Sequence, residues 1–360
     1  MRTYLLPAVL AAGIIGNPAA AGVLQAGYTG TALTVALGGD GPGSAYSHQI
    51  DLGLRLGADE GSDGWALSAA GAWTAGRSLS DRRIGDVAGV QATFYGNGVW
   101  LTELAAMRQT GDTQIAIGRL SPINAFAQID AVGEFVNAGF GAAGGGNPVD
   151  DPGPTSSPAS TWGASIDTPL SSTLSVRAGA YLSDHSRFML RKRGMAFSFR
   201  SGAGVLGVAE LRNDMGGWSL GVGSWVDTAR LATFDGGSRK GNEGLYLVAD
   251  RPAGETGPAL FAVVQATARG DRNLQPLFVA TGASFPVAGR DDDAVSVGIT
   301  AGKFGGQCPR NGWEVALEAN YRLALPAGAV LRPDVQYVIN PGGVGARNAL
   351  VAGPQIEWGF

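Results

Sequence analysis

The sequence predicts an all-β fold, a closed transmembrane antiparallel β-barrel of about 16 strands with a long loop folded into its lumen. Three features of the 360 residues carry that expectation. Apolar residues recur with a period of two almost throughout, and helical spacing is hard to find over any useful window. The connections between the alternating stretches are short at one end and include every long segment at the other. Composition lies between the usual classes: 16% of residues are charged and 58 are Gly, while mean hydropathy is close to zero. That is low in charge for a cytosolic globule and not apolar enough for a helical membrane protein.

Residues 1–21, MRTYLLPAVLAAGIIGNPAAA, place Arg2 before an apolar stretch from Tyr4 to Ile15 and end in Ala19, Ala20 and Ala21. This is the layout of a secretory signal peptide, with Gly22 as the mature start and 22–360 as the barrel. The first strand is expected near Val23 to Leu37. In HQIDLGLRLG, Ile50, Leu52, Leu54 and Leu56 oppose Asp51 and Arg55. LSVRAGAY, WSLGVGSWVD and LRPDVQYVIN read the same way. GWEVALEANYRLAL is the cleanest case: Trp313, Val315, Leu317, Ala319, Tyr321 and Leu323 share one face, and Glu314, Glu318, Asn320 and Arg322 the other. The last stretch, NALVAGPQIEWGF, alternates up to Phe360 and is expected to pair with the first strand, because a barrel leaves no edge.

Starting from the first strand, the even-numbered connections are ADEGSDG, TGD, TPLSS, NDMGG, RPAGETGP, PVAGRDDD and LPAGA, all turn-like in composition. The odd-numbered set includes Ser78 to Gly98, Leu120 to Ser160, Leu182 to Gly202 and Ala229 to Gly241. With an even strand count, both termini fall on the short-turn, periplasmic rim of an outer-membrane barrel. A pair of soluble β-sandwiches is disfavoured, since no linker or composition break divides the chain.

Other functions find little support. The net charge of -4 and scattered basic residues give nucleic acid no footprint. Cys308 is the only cysteine, which excludes an intrachain disulfide and thiolate clusters, and it reads as an inert loop residue. His48 and His185 fall in different loop regions without metal-ligand spacing, and no complete nucleophile-elbow motif is present. No catalysis, metal or cofactor is implied.

RPDVQYVINPGG followed by NALVAG, together with GNEGLYLVAD and HQIDLGLRLG, resembles segments of the OprB family, the carbohydrate-selective porins of Gram-negative bacteria. The resemblance runs over nearly the whole mature chain and implies a sixteen-stranded barrel through which sugars diffuse passively. Its alternatives are a general small-solute porin and a plugged structural or adhesive barrel. The expected surroundings are outer-membrane lipid and lipopolysaccharide, with the insertion machinery reading Phe360. The oligomeric state stays open between homotrimer and monomer.

In a porin, sorting is done by an eyelet of charged wall residues and an infolded loop. Residues of about 120–160 are the candidate constriction loop. Phe126, Ile129, Val132, Phe135, Val136 and Phe140 are placed to pack on the inner wall, with Asp130 and Glu134 facing the channel. By strand parity Asp51, Arg55, Glu103, Arg177, Glu314, Glu318, Arg332, Asp334 and Gln336 point into the lumen. Arg119 follows Ile115 and Ile117 on the lipid-facing parity, so the strand is expected to end there and the loop to turn it inward. Arg82 and Arg83, with the basic stretch Ser186 to Gly194, either line the entrance or bind lipopolysaccharide phosphates at the rim. Trp225 is read as a lumenal sugar-stacking ring or a girdle residue.

Overall fold

The computed structural model describes residues 22–144, 160–184, 192–199, 202–254 and 257–359. The expected leader, Phe360, His185 and the Gly- and Pro-rich half of the long loop at 145–159 lie outside the described residues. Sixteen strands are present among them: β1 Gly22–Gly38, β2 Gly43–Gly57, β3 Gly64–Gly76, β4 Gly98–Thr110, β5 Thr113–Leu120, β6 Thr161–Pro169, β7 Leu174–Ser183 and β8 Gly204–Met215. The second half comprises β9 Trp218–Ala232, β10 Ser238–Arg251, β11 Ala259–Thr267, β12 Leu277–Val287, β13 Arg290–Lys303, β14 Trp313–Ala324, β15 Ala329–Ile339 and β16 Ala349–Gly359. Each strand pairs antiparallel with its sequence neighbours, and β1 pairs with β16 to close the barrel. Tyr28 lies opposite Trp358 and Thr34 opposite Ala352 at that seam. Closure leaves no unpaired strand edge to face hydrocarbon, where an unmatched backbone group has no water to bond.

Side-chain parity follows the alternation. Leu52, Leu317, Val335, Tyr337, Ile356 and Trp358 are exposed on the outer wall, and Asp51, Glu314, Glu318, Asp334, Gln336 and Gln355 are buried on the inner one. Two connections differ from expectation. Ala229 to Gly241 is mostly strand, because β9 and β10 continue past the rim and leave only 233–237 between them. PVAGRDDD likewise shrinks to 288–289. His48 sits in β2, not in a loop; it lies on the outward parity, against Tyr28, Tyr46 and Trp73.

The apolar core lies inside the barrel. The β5–β6 connection enters the lumen through 3-10 turns at Pro122–Asn124 and Asp130–Glu134 and the short helix α1, Ala138–Gly144. Phe126, Ile129, Phe135 and Phe140 are buried there with Tyr181, Trp225, Tyr246 and Phe261 of the wall. Phe135 stacks on Phe140 at 4.1 Å between centroids, and Phe261 meets both rings edge-on. The wall gives way beneath them: a Cβ at Gly298 would stand 2.7 Å from an atom of each ring, so only glycine fits.

A second connection also folds in, which the sequence reading did not expect. Residues between β3 and β4 form a π-helical turn, Ser80–Ile84, closed by Gly85 in the left-handed region (φ 81°) with its N–H on Ser80 O. Leu79, Ile84 and Val90 pack with Leu33, Val35, Ala45, Val338 and Val351 of the inner wall. Their apolar character within a nominally solvated loop was the signal available.

Candidate functional site

The inner-wall carboxylates hold the two loops. Glu318 accepts hydrogen bonds from the backbone N–H of Val136 (2.7 Å) and Asn137 (2.9 Å) and from Asn320 Nδ2 (2.9 Å). Glu314 accepts from Val87 and Ala88, each at 2.9 Å, and from Gly342 N at 2.6 Å, so one side chain ties the β3–β4 and β15–β16 connections together. Gln336 donates to Val90 O (3.0 Å) and accepts from Asn137 Nδ2 (2.9 Å). Burying a carboxylate is tolerable only when its lone pairs are filled, and these loop amides fill them. Glu314 and Glu318 therefore face inward as parity requires, but they are spent on the loops and are not free for a solute.

The same holds on the opposite wall for a group the sequence reading missed. Glu210 of β8 accepts from Ala127 N (2.6 Å) and Tyr246 Oη (2.9 Å), and lies 3.1 Å from Arg212 Nε and 3.7 Å from Arg177 Nη1. Arg177 also pairs with Asp167 (2.7 Å) and reaches Ala125 O, while Arg212 donates to Gln128 O. Glu210 and Arg212 are two apart and so share a strand face; that spacing was the readable signal.

In one charged cluster Glu134, Arg322 and Glu357 stay open to water around a buried Arg332. Glu134, on the infolded loop, stands between Arg332 Nη2 (3.3 Å) and Arg322 Nε (3.9 Å), and its side chain is 29% exposed. Arg332 also pairs with Glu357, 30% exposed, and donates to Gln355 Oε1 at 2.7 Å. Asp334 is buried beside Gln336, which donates to it at 2.8 Å. Asp130 is exposed at the start of its 3-10 turn. Across the lumen, Gln49, Arg55 and Glu103 remain partly exposed, whereas Asp51 is buried and accepts from Gln49 Nε2. Ser68 donates to Glu103, and Arg55 reaches Ala58 O.

Arg119 requires a correction. β5 does not end there: it continues to Leu120, and Arg119 pairs in register with Trp162 on the outward face shared with exposed Ile115 and Ile117. It is buried because residues 196–199 lie over the outer wall there. Nη1 donates to Ala196 O (2.8 Å), Nη2 donates to Ser160 O, and the rings of Trp162 and Phe197 lie 5.8 and 5.7 Å from the guanidinium carbon. This cover spares the cation a lipid-facing position, which costs about 2–4 kcal/mol at the midplane. Arg119→Ala is accordingly expected to leave sugar flux unchanged while speeding tryptic cleavage after Lys192 or Arg193; a changed permeation rate would return Arg119 to the pore.

Trp225 faces inward, but its ring is buried in the core against Gly244, so it offers no stacking platform. Of the basic pair, Arg82 is exposed on the π-helical turn and Arg83 lies half-buried against Gly43 at the β1–β2 turn. Cys308 is a free thiol buried in the β13–β14 connection.

Asp86 gives the second loop a pH dependence. Burial, reinforced by the nearby Glu314 carboxylate, pushes its carboxyl up to about 6, and Gly89 N–H donates to Oδ2. A carboxyl raised in the docked state contributes stability that is fully present below the ordinary range near 3.8 and is lost as pH rises through about 6. The β3–β4 connection is thus expected to exchange its amide hydrogens more slowly at pH 5 than at pH 7.5, after correction for intrinsic rates. Asp86→Asn is expected to reduce the difference, and an unaltered pH response in that variant would exclude Asp86 as a source.

A closed sixteen-stranded barrel with an apolar outer wall, a charged lumen and infolded loops is an outer-membrane porin. The chain belongs to the OprB family of carbohydrate-selective porins, whose profile matches residues 41–360. It is a carbohydrate porin of the Gram-negative outer membrane. Among solved structures it is similar to the high-pH structure of Pseudomonas putida OprB, with a TM-score of 0.81 at 20% identity over 94% of each chain. The low-pH structure of that protein matches at 0.58 and 17% identity, over 94% of this chain and 92% of that one. Salmonella typhi OmpF in complex with daunomycin matches at 0.67 and 13% identity, over 97% of this chain and all of that one. No curated relative matches the sequence.

Proposed function

We propose that sugars cross through the strip of lumen bounded by β1–β5 on one side and by the cluster of Glu134, Arg322, Arg332 and Glu357 on the other. The observation that carries this reading is the distribution of solvent. Inward residues of β6–β15 are mostly buried under the loops, whereas Gln25, Thr29, Gln49, Arg55, Ser68 and Glu103 retain access, as do Arg322 and Glu357. Alternating cations and carboxylates along this strip exchange hydrogen bonds with successive hydroxyls one at a time, so that a sugar sheds water without being held fast. The described part of the β5–β6 loop, residues 121–144, narrows the passage, and the reading requires no catalytic step. Gly22 as the mature start, outer-leaflet lipopolysaccharide around the long-loop rim, and Phe360 as the signal to the insertion machinery belong to the same proposal.

The test is swelling of liposomes carrying the refolded chain, with neutral sugars of graded size and amino acids of similar size as controls. Sugars are expected to enter faster. Equal rates would replace this reading with a general porin, and absence of swelling with a sealed barrel.

A further inference from the structure

We propose that Lys192–Phe199, together with Arg119, forms a binding site for the phosphorylated headgroup of an outer-leaflet lipid. The segment leaves the β7–β8 connection on the long-loop rim, which faces outward in an outer-membrane barrel. At the rim the Arg193 guanidinium lies 6.0 Å from the inward ring of Trp100, and from Ala196 to Phe199 the chain lies over the outer wall. Arg193 O accepts from Leu101 N (2.9 Å), Ala196 O from Arg119, and Phe197 O from Trp162 Nε1 (3.0 Å), while Phe199 stacks on Trp162 at 5.8 Å. Three backbone carbonyls are thereby pinned to the outer face of β4–β6.

This placement puts large apolar side chains where water would not favour them. Met195, Phe197 and Phe199 are 48%, 47% and 71% exposed, on the same side as exposed Val99, Ile117 and Leu104 of the wall. They continue the lipid-facing belt upward to the headgroup level, as the apolar face of an interfacial segment does. Directly beside them, Arg119 and Lys192 line a small cleft together with Asp184, two cations and one carboxylate among the described residues there. Arg119 Nε is buried and has no hydrogen-bond partner among the described residues. A cation pair with an adjoining apolar fin matches a phosphate attached to acyl chains, and a free anion would leave the fin without a role. The inference rests on the reading that phosphorylated lipid surrounds this rim, and it is independent of the sugar path.

Native mass spectrometry of the refolded full chain in neutral detergent tests it. The probes are a bis-phosphorylated glucosamine lipid of the lipid A class, its dephosphorylated counterpart and inorganic phosphate. One phosphorylated lipid is expected to be retained about tenfold more tightly than the dephosphorylated form, the scale of one charge-assisted hydrogen bond. Lys192→Gln and Phe199→Ser should each weaken retention by a similar factor while heat-modifiable gel migration stays that of the intact barrel. Equal retention of the two lipids, insensitivity to both variants, or displacement of the lipid by inorganic phosphate would each overturn the proposal. Failure of sugar selectivity in the swelling assay would leave it standing, so the two readings fail separately.

Discussion

Leu317→Arg is expected to remove most of the assembled barrel from the membrane, whereas Leu317→Ala should assemble nearly as the parent does. Leu317 is 40% exposed on the outer wall in β14, flanked by Tyr337 on β15 and Ile299 on β13. An arginine there meets hydrocarbon at a cost of about 2–4 kcal/mol near the midplane, less toward the interfaces. Whole-domain stabilities are of the order of 5–15 kcal/mol, so such a loss is a large fraction of the total. The measurement is the yield of heat-modifiable protein in outer-membrane fractions; equal yields of the arginine and alanine variants would mean that the outer wall of β14 has been misassigned.

Glu318→Ala, one residue along, is expected to do the reverse: spare the barrel and release the loop. Its carboxylate is 4% exposed and receives Val136 N–H, Asn137 N–H and Asn320 Nδ2. Truncation leaves two buried amides without an acceptor, at about 1–3 kcal/mol each. The aromatic contacts of Phe135 and Phe140 with Phe261 remain, so the loop loosens at its middle and does not leave the lumen. A larger and noisier single-channel conductance is expected, with faster passage of the bigger sugars in the swelling series. Parental conductance in a correctly assembled Glu318→Ala barrel would show that this loop does not limit the pore.

How much of this was legible varies with the distance over which each feature is decided. Parity was readable almost residue by residue. The faces of β2, β14, β15 and β16 follow from alternation alone, because hydrocarbon outside and water inside impose opposite demands on adjacent side chains. Most of the short turns were readable for a similarly local reason, since Gly, Pro, Asp and Asn set backbone conformation over a few residues. The apolar positions of the β5–β6 loop were legible too: Phe126, Ile129, Phe135, Val136 and Phe140 are buried, while Asp130 and Glu134 stay open to solvent.

What each inward charge does was not legible. Glu314 and Glu318 look identical along the strand to a solute-facing carboxylate. Their partners, Val87 and Val136, lie 227 and 182 residues away. Arg119 failed for a related reason: a cation on a lipid-facing position reads as an error of register until a distant segment, 196–199, is seen to cover it. The β3–β4 connection was overlooked because its apolar residues are too sparse to show a period, and only the complementary surface of β1, β2, β15 and β16 gives them a place to bury.

The sequence by itself determined the class of barrel, its strand number, which face of each strand meets lipid, and the family to which the chain belongs. Tertiary structure alone decided which lumenal charges are consumed in holding loops and which line the remaining passage. The physical reason is the range of the forces involved. Solvent contrast across a strand acts on every residue where it stands, while a buried carboxylate is satisfied only by donors that closure of the barrel brings to it.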